Sequence, residues 1–261
     1  GMDETTVTKL EKYQEIIRES SILKKTFELI DKFNREQIAF KRIRCLALGS
    51  PVETKIALFQ LAYLIEIQLE YSVEPENVSL YDPVFNKDDK RLLKEHLGYE
   101  IDQTYEIEEP CIKETIFFLP HAGLDITDGL IEETKPQWMI GNDLVSHTER
   151  LSKQKLYETY RNLAYLVKLI EDSNHNQIDD GFTSVKPKSK RNRKNKYVFK
   201  EPELVYDFSK VYFDKVLHEK LPSDDGVWGN AFTDLTVHHI KSKTEQNQID
   251  DLEQGLHQLK V

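Results

Sequence analysis

Apolar positions near the start of the chain recur at helical spacing. Leu10, Tyr13 and Ile17 share one face, then Leu23, Phe27, Ile30 and Phe33 share another, which predicts two amphipathic helices over residues 5–40. The period then changes. Ile43 to Leu48 is an almost unbroken apolar run halted by Gly49, the pattern of a buried strand followed by a tight turn. Ser50-Pro51-Val52-Glu53 offers a capping serine, a proline at the first helical position and a glutamate completing a capping box, so a helix is predicted to open there and run to about Glu70. Its apolar residues (Ile56, Leu58, Phe59, Leu61, Leu64, Ile65 and Ile67 among them) lie on every side, which places the helix in the interior with Gln60 as its central polar residue.

Strand and helix patterns alternate from there. Val78–Tyr81 reads as a strand ending at Asp82-Pro83, and Asp88–Leu97 as a helix stopped by Gly98. A weak third strand falls within Tyr99–Ile107, and Thr115–Leu119 is a fourth, ended by Pro120-His121. Ile126–Thr134 is helical, and Trp138–Ile140 forms a fifth strand leading into Gly141-Asn142-Asp143. Such alternation makes βαβ units with right-handed crossovers. The predicted fold class is therefore α/β, a doubly wound, Rossmann-like, mostly parallel sheet in the order 3-2-1-4-5, with N-terminal helices and a helical and basic-loop insertion.

Lys155–Glu171 carries an apolar stripe (Leu156, Tyr160, Leu163, Val167, Ile170) and predicts a helix, whereas Ser173–Lys196 has no periodicity. Order is expected to resume at Leu204-Val205-Tyr206, with a short helix near Lys210–Leu221 and a strand at Thr236–Ile240. Ile249, Leu252, Leu256 and Leu259 space like a final helix. The expected division is residues 1–40 as helices packed on the core, 41–171 with 197–240 as a single domain, 172–196 as a disordered basic loop, and 241–261 as a helical tail.

Charge sharpens this division. The net charge is −10, yet residues 186–196 hold seven basic residues and no acid, which leaves −17 for the rest of the chain. An acidic body argues against a nucleic-acid-coating surface, and the basic run reads as a nuclear-targeting or acidic-partner segment. Cys45 and Cys111 have no cysteine at redox or metal spacing, and no apolar stretch approaches a membrane span or a secretory signal. The expected location is cytoplasmic or nuclear.

In a doubly wound sheet the ligand lies outside the carboxyl ends of the strands, where the strand order reverses. The residues leaving those ends are Gly49 and Ser50, then Asp82, His121 and Asn142. Together with Gln60 they form the candidate ligand-binding set. Each has an alternative structural use. Gly49 permits a tight turn, Ser50 caps a helix, Asp82 makes an Asp-Pro turn, and Gln60 ties its helix to the sheet. No G-x-G-x-x-G or G-x-S-x-G occurs, and His121, Asp125, Asp234, His238 and His239 lack the local spacing of a metal site, so no metal is expected. His121 is the candidate acid or base, which leaves three readings open: a ligand-binding regulator, an enzyme, or an interaction scaffold with a vestigial crevice.

Cys45-Leu46-Ala47-Leu48-Gly49-Ser50, Gln60-Leu61-Ala62, Leu80-Tyr81-Asp82-Pro83-Val84-Phe85, Phe117-Phe118-Leu119-Pro120-His121, Ile140-Gly141-Asn142 and Ala231–His238 together resemble the Sensitivity to Red Light Reduced family of SRR-like domain proteins. Ala122 stands where that family commonly has cysteine, which removes a thiolate there, and the basic loop looks like an insertion. The resemblance implies regulatory roles: light signalling and the clock in plants, haem biosynthesis and the clock in animals, and microtubule-related processes in fungi. The chain looks most like a fungal member of the benomyl-resistance type. No settled activity or cofactor comes with the resemblance. Haem, where implied, would have His121 as its axial ligand. Expected partners are a small molecule and a protein met through the basic loop or the C-terminal helix.

Overall fold

The computed structural model describes residues 4–105, 110–178, 203–222 and 226–243, with Leu256, His257 and Leu259. The basic run at 186–196 and most of the C-terminal tail lie outside these residues. Seven strands form one sheet: β1 (Arg42–Leu46), β2 (Val78–Tyr81), β3 (Glu100–Ile101), β4 (Thr115–Leu119), β5 (Trp138–Asn142), β6 (Phe213–Lys220) and β7 (Leu235–Ser242). Their order is β3-β2-β1-β4-β5-β7-β6. The first five are parallel, in the predicted 3-2-1-4-5 arrangement, and β7 enters antiparallel between β5 and β6. The fold is a Rossmann-like α/β sheet.

Helices cover both faces. On one lie α1 (Glu4–Arg18), α2 (Ser21–Phe33), α3 (Lys55–Glu70) and α4 (Lys87–Lys90), the last continuing as a π-helical turn over Arg91–His96. On the other lie α5 (Leu124–Thr134), α6 (Leu144–Thr148), α7 (Lys153–Thr159) and α8 (Arg161–Ile178). Alternation along each strand feeds both cores: Ile43, Cys45, Ile116 and Phe118 point to the α3 side, while Leu46, Phe117, Leu119 and Met139 point to the α8 side. The N-terminal helices dock on α3. Tyr13 stacks on Phe59 at 3.7 Å between centroids, Arg18 reaches Glu66 at 2.6 Å, and Thr26 shares a 2.7 Å hydrogen bond with the Tyr63 hydroxyl.

Three expectations are corrected. The helix after β1 starts at Lys55 with Thr54 as its N-cap, because Ser50–Glu53 forms a separate turn in which the Ser50 hydroxyl accepts from Glu53 N at 3.2 Å. The segment near Lys210–Leu221 is strand β6. Val211, Phe213, Val216 and Leu217 mimic helical spacing because a register shift between Phe213 and Lys215 interrupts the two-residue alternation. The predicted helix over Lys155–Glu171 breaks at Tyr160. Asp128 of α5 accepts the Leu163 amide at 3.1 Å, and Tyr160 bonds Asp125 at 2.6 Å, so contacts from another element fix a second helix start.

Candidate functional site

Strand register sets which residues share the carboxyl rim. Leu46 pairs with Tyr81, and Leu119 with Gly141, so Ala47, Asp82, Pro120 and Asn142 emerge together on either side of the β1/β4 reversal. Ala47 and Gly49 both take left-handed backbone angles, φ 59 and 80°. Such angles suit glycine, while alanine there stores about 1–2 kcal/mol that the surrounding fold must hold in place. The turn is pinned from the neighbouring strand. Ala47 N donates to the Tyr81 carbonyl at 3.1 Å, and Gly49 N donates to Asp82 Oδ2 at 2.7 Å. Asp82 Oδ1 accepts from Val84 N at 3.0 Å, which keeps the carboxylate aimed back across the turn.

A second carboxylate, absent from the sequence reading, completes this knot. Asp89 is fully buried and accepts from the Ser50 hydroxyl (2.9 Å), Val52 N (3.1 Å) and Asn86 N (3.0 Å). Its own amide bonds the Asn86 side chain at 2.8 Å, a reciprocal capping box. The N-x-x-D spacing at Asn86–Asp89 was the available signal. The turn that would cradle a phosphate in a dinucleotide-binding sheet therefore has two of its amides, those of Gly49 and Val52, bonded to the chain's own carboxylates. A phosphate about 4 Å from either would meet repulsion of roughly 4 kcal/mol at an effective dielectric constant of about 20.

His121 is exposed at the rim. Partial desolvation lowers its pKa below the ordinary imidazole value, and the nearby Asp82 carboxylate opposes that shift. The two predicted residues therefore share one electrostatic environment, although they leave strands on opposite sides of β1. Asn142 ends β5, half-buried, opposite Leu235 of β7. Ser50 and Gln60 are committed inward. Ser50 serves Asp89, and the Gln60 amide donates to the Ala231 carbonyl at 2.7 Å across a buried interface between α3 and the approach to β7.

The structure adds residues on the far side of Asp82. Buried Arg44, in the middle of β1, donates to the Tyr105 carbonyl at 2.9 Å and lies 3.4 Å from Asp102 Oδ2, which ties the segment after β3 over the sheet. Tyr105 meets Tyr81 edge-on at 4.6 Å. Between this segment and the π-helical turn lies a concavity of about 330 Å³, with Tyr81, Asp82, Pro83 and Phe85 on the β2 side and Ile101 and Asp102 on the β3 side. Lys90 and Lys94 stand at its edge. Burial raises the Asp102 pKa, and Arg44 holds the rise in check.

β7 separates the histidines grouped in the sequence. His238 lies under the α8 layer with Nδ1 3.1 Å from the Met139 carbonyl, while His239 points to the other face and stacks on Trp138 at 4.0 Å. Among the described residues, no three His, Cys, Asp or Glu side chains converge on a metal position. Haem would depend on His121, whose rim carries the Asp82 carboxylate and, beside it, a concavity edged by Lys90, Lys94 and Asp102. The exposure of His121 and the carboxylate beside it do not fit an axial ligand buried against a macrocycle. No helix among the described residues is long and apolar enough to cross a membrane.

A family model described as the SRR1 domain matches residues 10–239, which span every strand described above except the end of β7. No solved structure matches the chain.

Proposed function

The chain belongs to the SRR1 domain family, and from that premise we propose that it is a regulatory protein whose state is set by a small molecule held at the strand-end rim. Asp82, His121 and Asn142 make the contacts around Gly49. The observation that carries this reading is the pinned left-handed turn at the β1/β4 reversal, with the Asp82 carboxylate bonded to Gly49 N and electrostatically coupled to His121. A strained turn held by another element's side chain is how folds keep a rim fixed for a ligand.

Native mass spectrometry on protein purified without added ligand tests the proposal. A mass excess that disappears on denaturation is expected, and His121→Ala should lose it while keeping its melting temperature. An unliganded wild-type protein that also takes up no nucleotide or adenosyl compound would favour the scaffold reading. The resemblance to fungal members supports placing the regulation in a microtubule-related process, in which cells lacking the protein should change in sensitivity to a microtubule-depolymerising drug.

A second reading, catalysis at the same rim, is supported by the position of exposed His121 near the Asp82 carboxylate, where an imidazole can exchange a proton with a bound molecule. Under this reading the retained molecule should turn over when a second substrate is present, and His121→Ala should stop turnover without releasing it.

A further inference from the structure

Beside the rim, the concavity of about 330 Å³ between β2 and β3 has the chemistry of a nucleoside site. We propose that it takes the base of an adenosyl compound whose ribose sits on Asp82 and whose 5′ substituent carries no phosphate. The inference rests on the crevice reading above and names the ligand for it.

Each part of the molecule meets a matching group. An acid at the end of the second strand is placed to accept the ribose hydroxyls. Asp82 spends one interaction per oxygen, on Gly49 N and Val84 N, and a carboxylate has about four acceptor positions, so it can still bind a diol. Pro83, Phe85 and Ile101 give the concavity apolar wall for a flat ring. Asp102 also lines the concavity, with its Oδ2 buried against Arg44 at 3.4 Å, which fixes that wall in place. Exposed Gln103 also lines the concavity, and its amide can pair with the adenine edge through one donor and one acceptor.

The 5′ side decides between adenosyl compounds. It would run from Asp82 toward the turn after β1 and His121. In dinucleotide sites that turn offers free amides to a pyrophosphate. Here Gly49 N is taken by Asp82, Val52 N by Asp89 and Glu53 N by the Ser50 hydroxyl. Two of those three acceptors are carboxylates. A sulfonium, thioether or ammonium tail is compatible with them; a pyrophosphate is not. S-adenosylmethionine and S-adenosylhomocysteine are the simplest compounds of this type.

Calorimetric titration of the full chain with S-adenosylmethionine, S-adenosylhomocysteine, adenosine, guanosine, ATP and NAD tests the assignment. The two adenosyl amino acids should bind, adenosine should compete with them, and ATP and NAD should bind at least about tenfold more weakly. Gln103→Ala, an exposed change that leaves folding intact, should weaken the adenosyl compounds about 3- to 10-fold, the equivalent of one hydrogen bond. Asp82→Asn should weaken them further, its folding checked by circular dichroism. Equal or tighter binding of ATP, NAD or guanosine would overturn the proposal, as would adenosyl binding indifferent to both substitutions. If a different molecule copurifies and its retention needs His121, this assignment fails while the crevice reading stands; if nothing copurifies and no probe binds, both fail.

Discussion

Acidification should destabilise the fold through His238. Its side chain is 1% exposed, and its Nδ1 must donate to the Met139 carbonyl, so the ring is held as the neutral tautomer with a bare Nε2 that has no partner among the described residues. Burial lowers the pKa to about 4, with the neighbouring His218 adding to the effect and the Met139 hydrogen bond opposing it. In the unfolded chain the same imidazole titrates at about 6.5. Between these values the unfolded chain binds a proton that the folded chain refuses. Stability therefore falls as pH drops through 6.5 and levels off below about 4. At about 1.4 kcal/mol per pH unit across that interval, the loss from this residue is roughly 3 kcal/mol. His239, also lowered to about 4 by burial, adds a smaller contribution because it is more exposed to solvent screening. Urea unfolding at a series of pH values, compared between wild type and His238→Asn, measures the effect. Asparagine can place its amide nitrogen near the Nδ1 position but cannot titrate. The variant should be less stable at about pH 7.5, through lost ring packing, yet should lose about 3 kcal/mol less than wild type on going to about pH 4. Parallel curves for the two proteins would refute the reasoning, and so would an NMR titration placing the His238 pKa near 6.5.

Three further outcomes follow from side-chain hydrogen bonding and exposure. Gln60→Leu should destabilise the protein by about 1–2 kcal/mol in chemical denaturation, since it orphans the Ala231 carbonyl but also removes a buried Oε1 that has no partner of its own among the described residues. Asp89→Ala should cost about 3 kcal/mol or more, because the Ser50 hydroxyl and two amides lose a buried acceptor at once; a loss below about 1 kcal/mol by the same assay would mean that the turn holds without it. His121→Ala should change stability by less than about 0.5 kcal/mol in thermal unfolding, as expected of an exposed rim residue.

Much of the frame was legible in the sequence because it is written in periodicity. Val78–Tyr81 and Thr115–Leu119 appear as strands with the predicted ends, since each is a short apolar run closed by a proline turn. The order 3-2-1-4-5 followed from alternation and crossover handedness, and with it the position of Asp82, His121 and Asn142 at the carboxyl ends of β2, β4 and β5. What the tertiary structure alone decided are the places where a distant partner overrides local pattern. β6 is a strand because β7 lies beside it, and its bulge gave a helical spacing to Phe213 and Val216. The helix after β1 begins at Lys55, capped by Thr54, because Ser50–Glu53 closes as a separate turn that is tied to Asp89, 39 residues further on from Ser50. Asp82 is a readable rim acid, but only the fold shows its carboxylate resting on Gly49 N, which turns a would-be phosphate cradle into an anionic wall. Local sequence specifies the period and the punctuation of the chain; which donor meets which acceptor across the sheet depends on the packing of residues far apart in sequence.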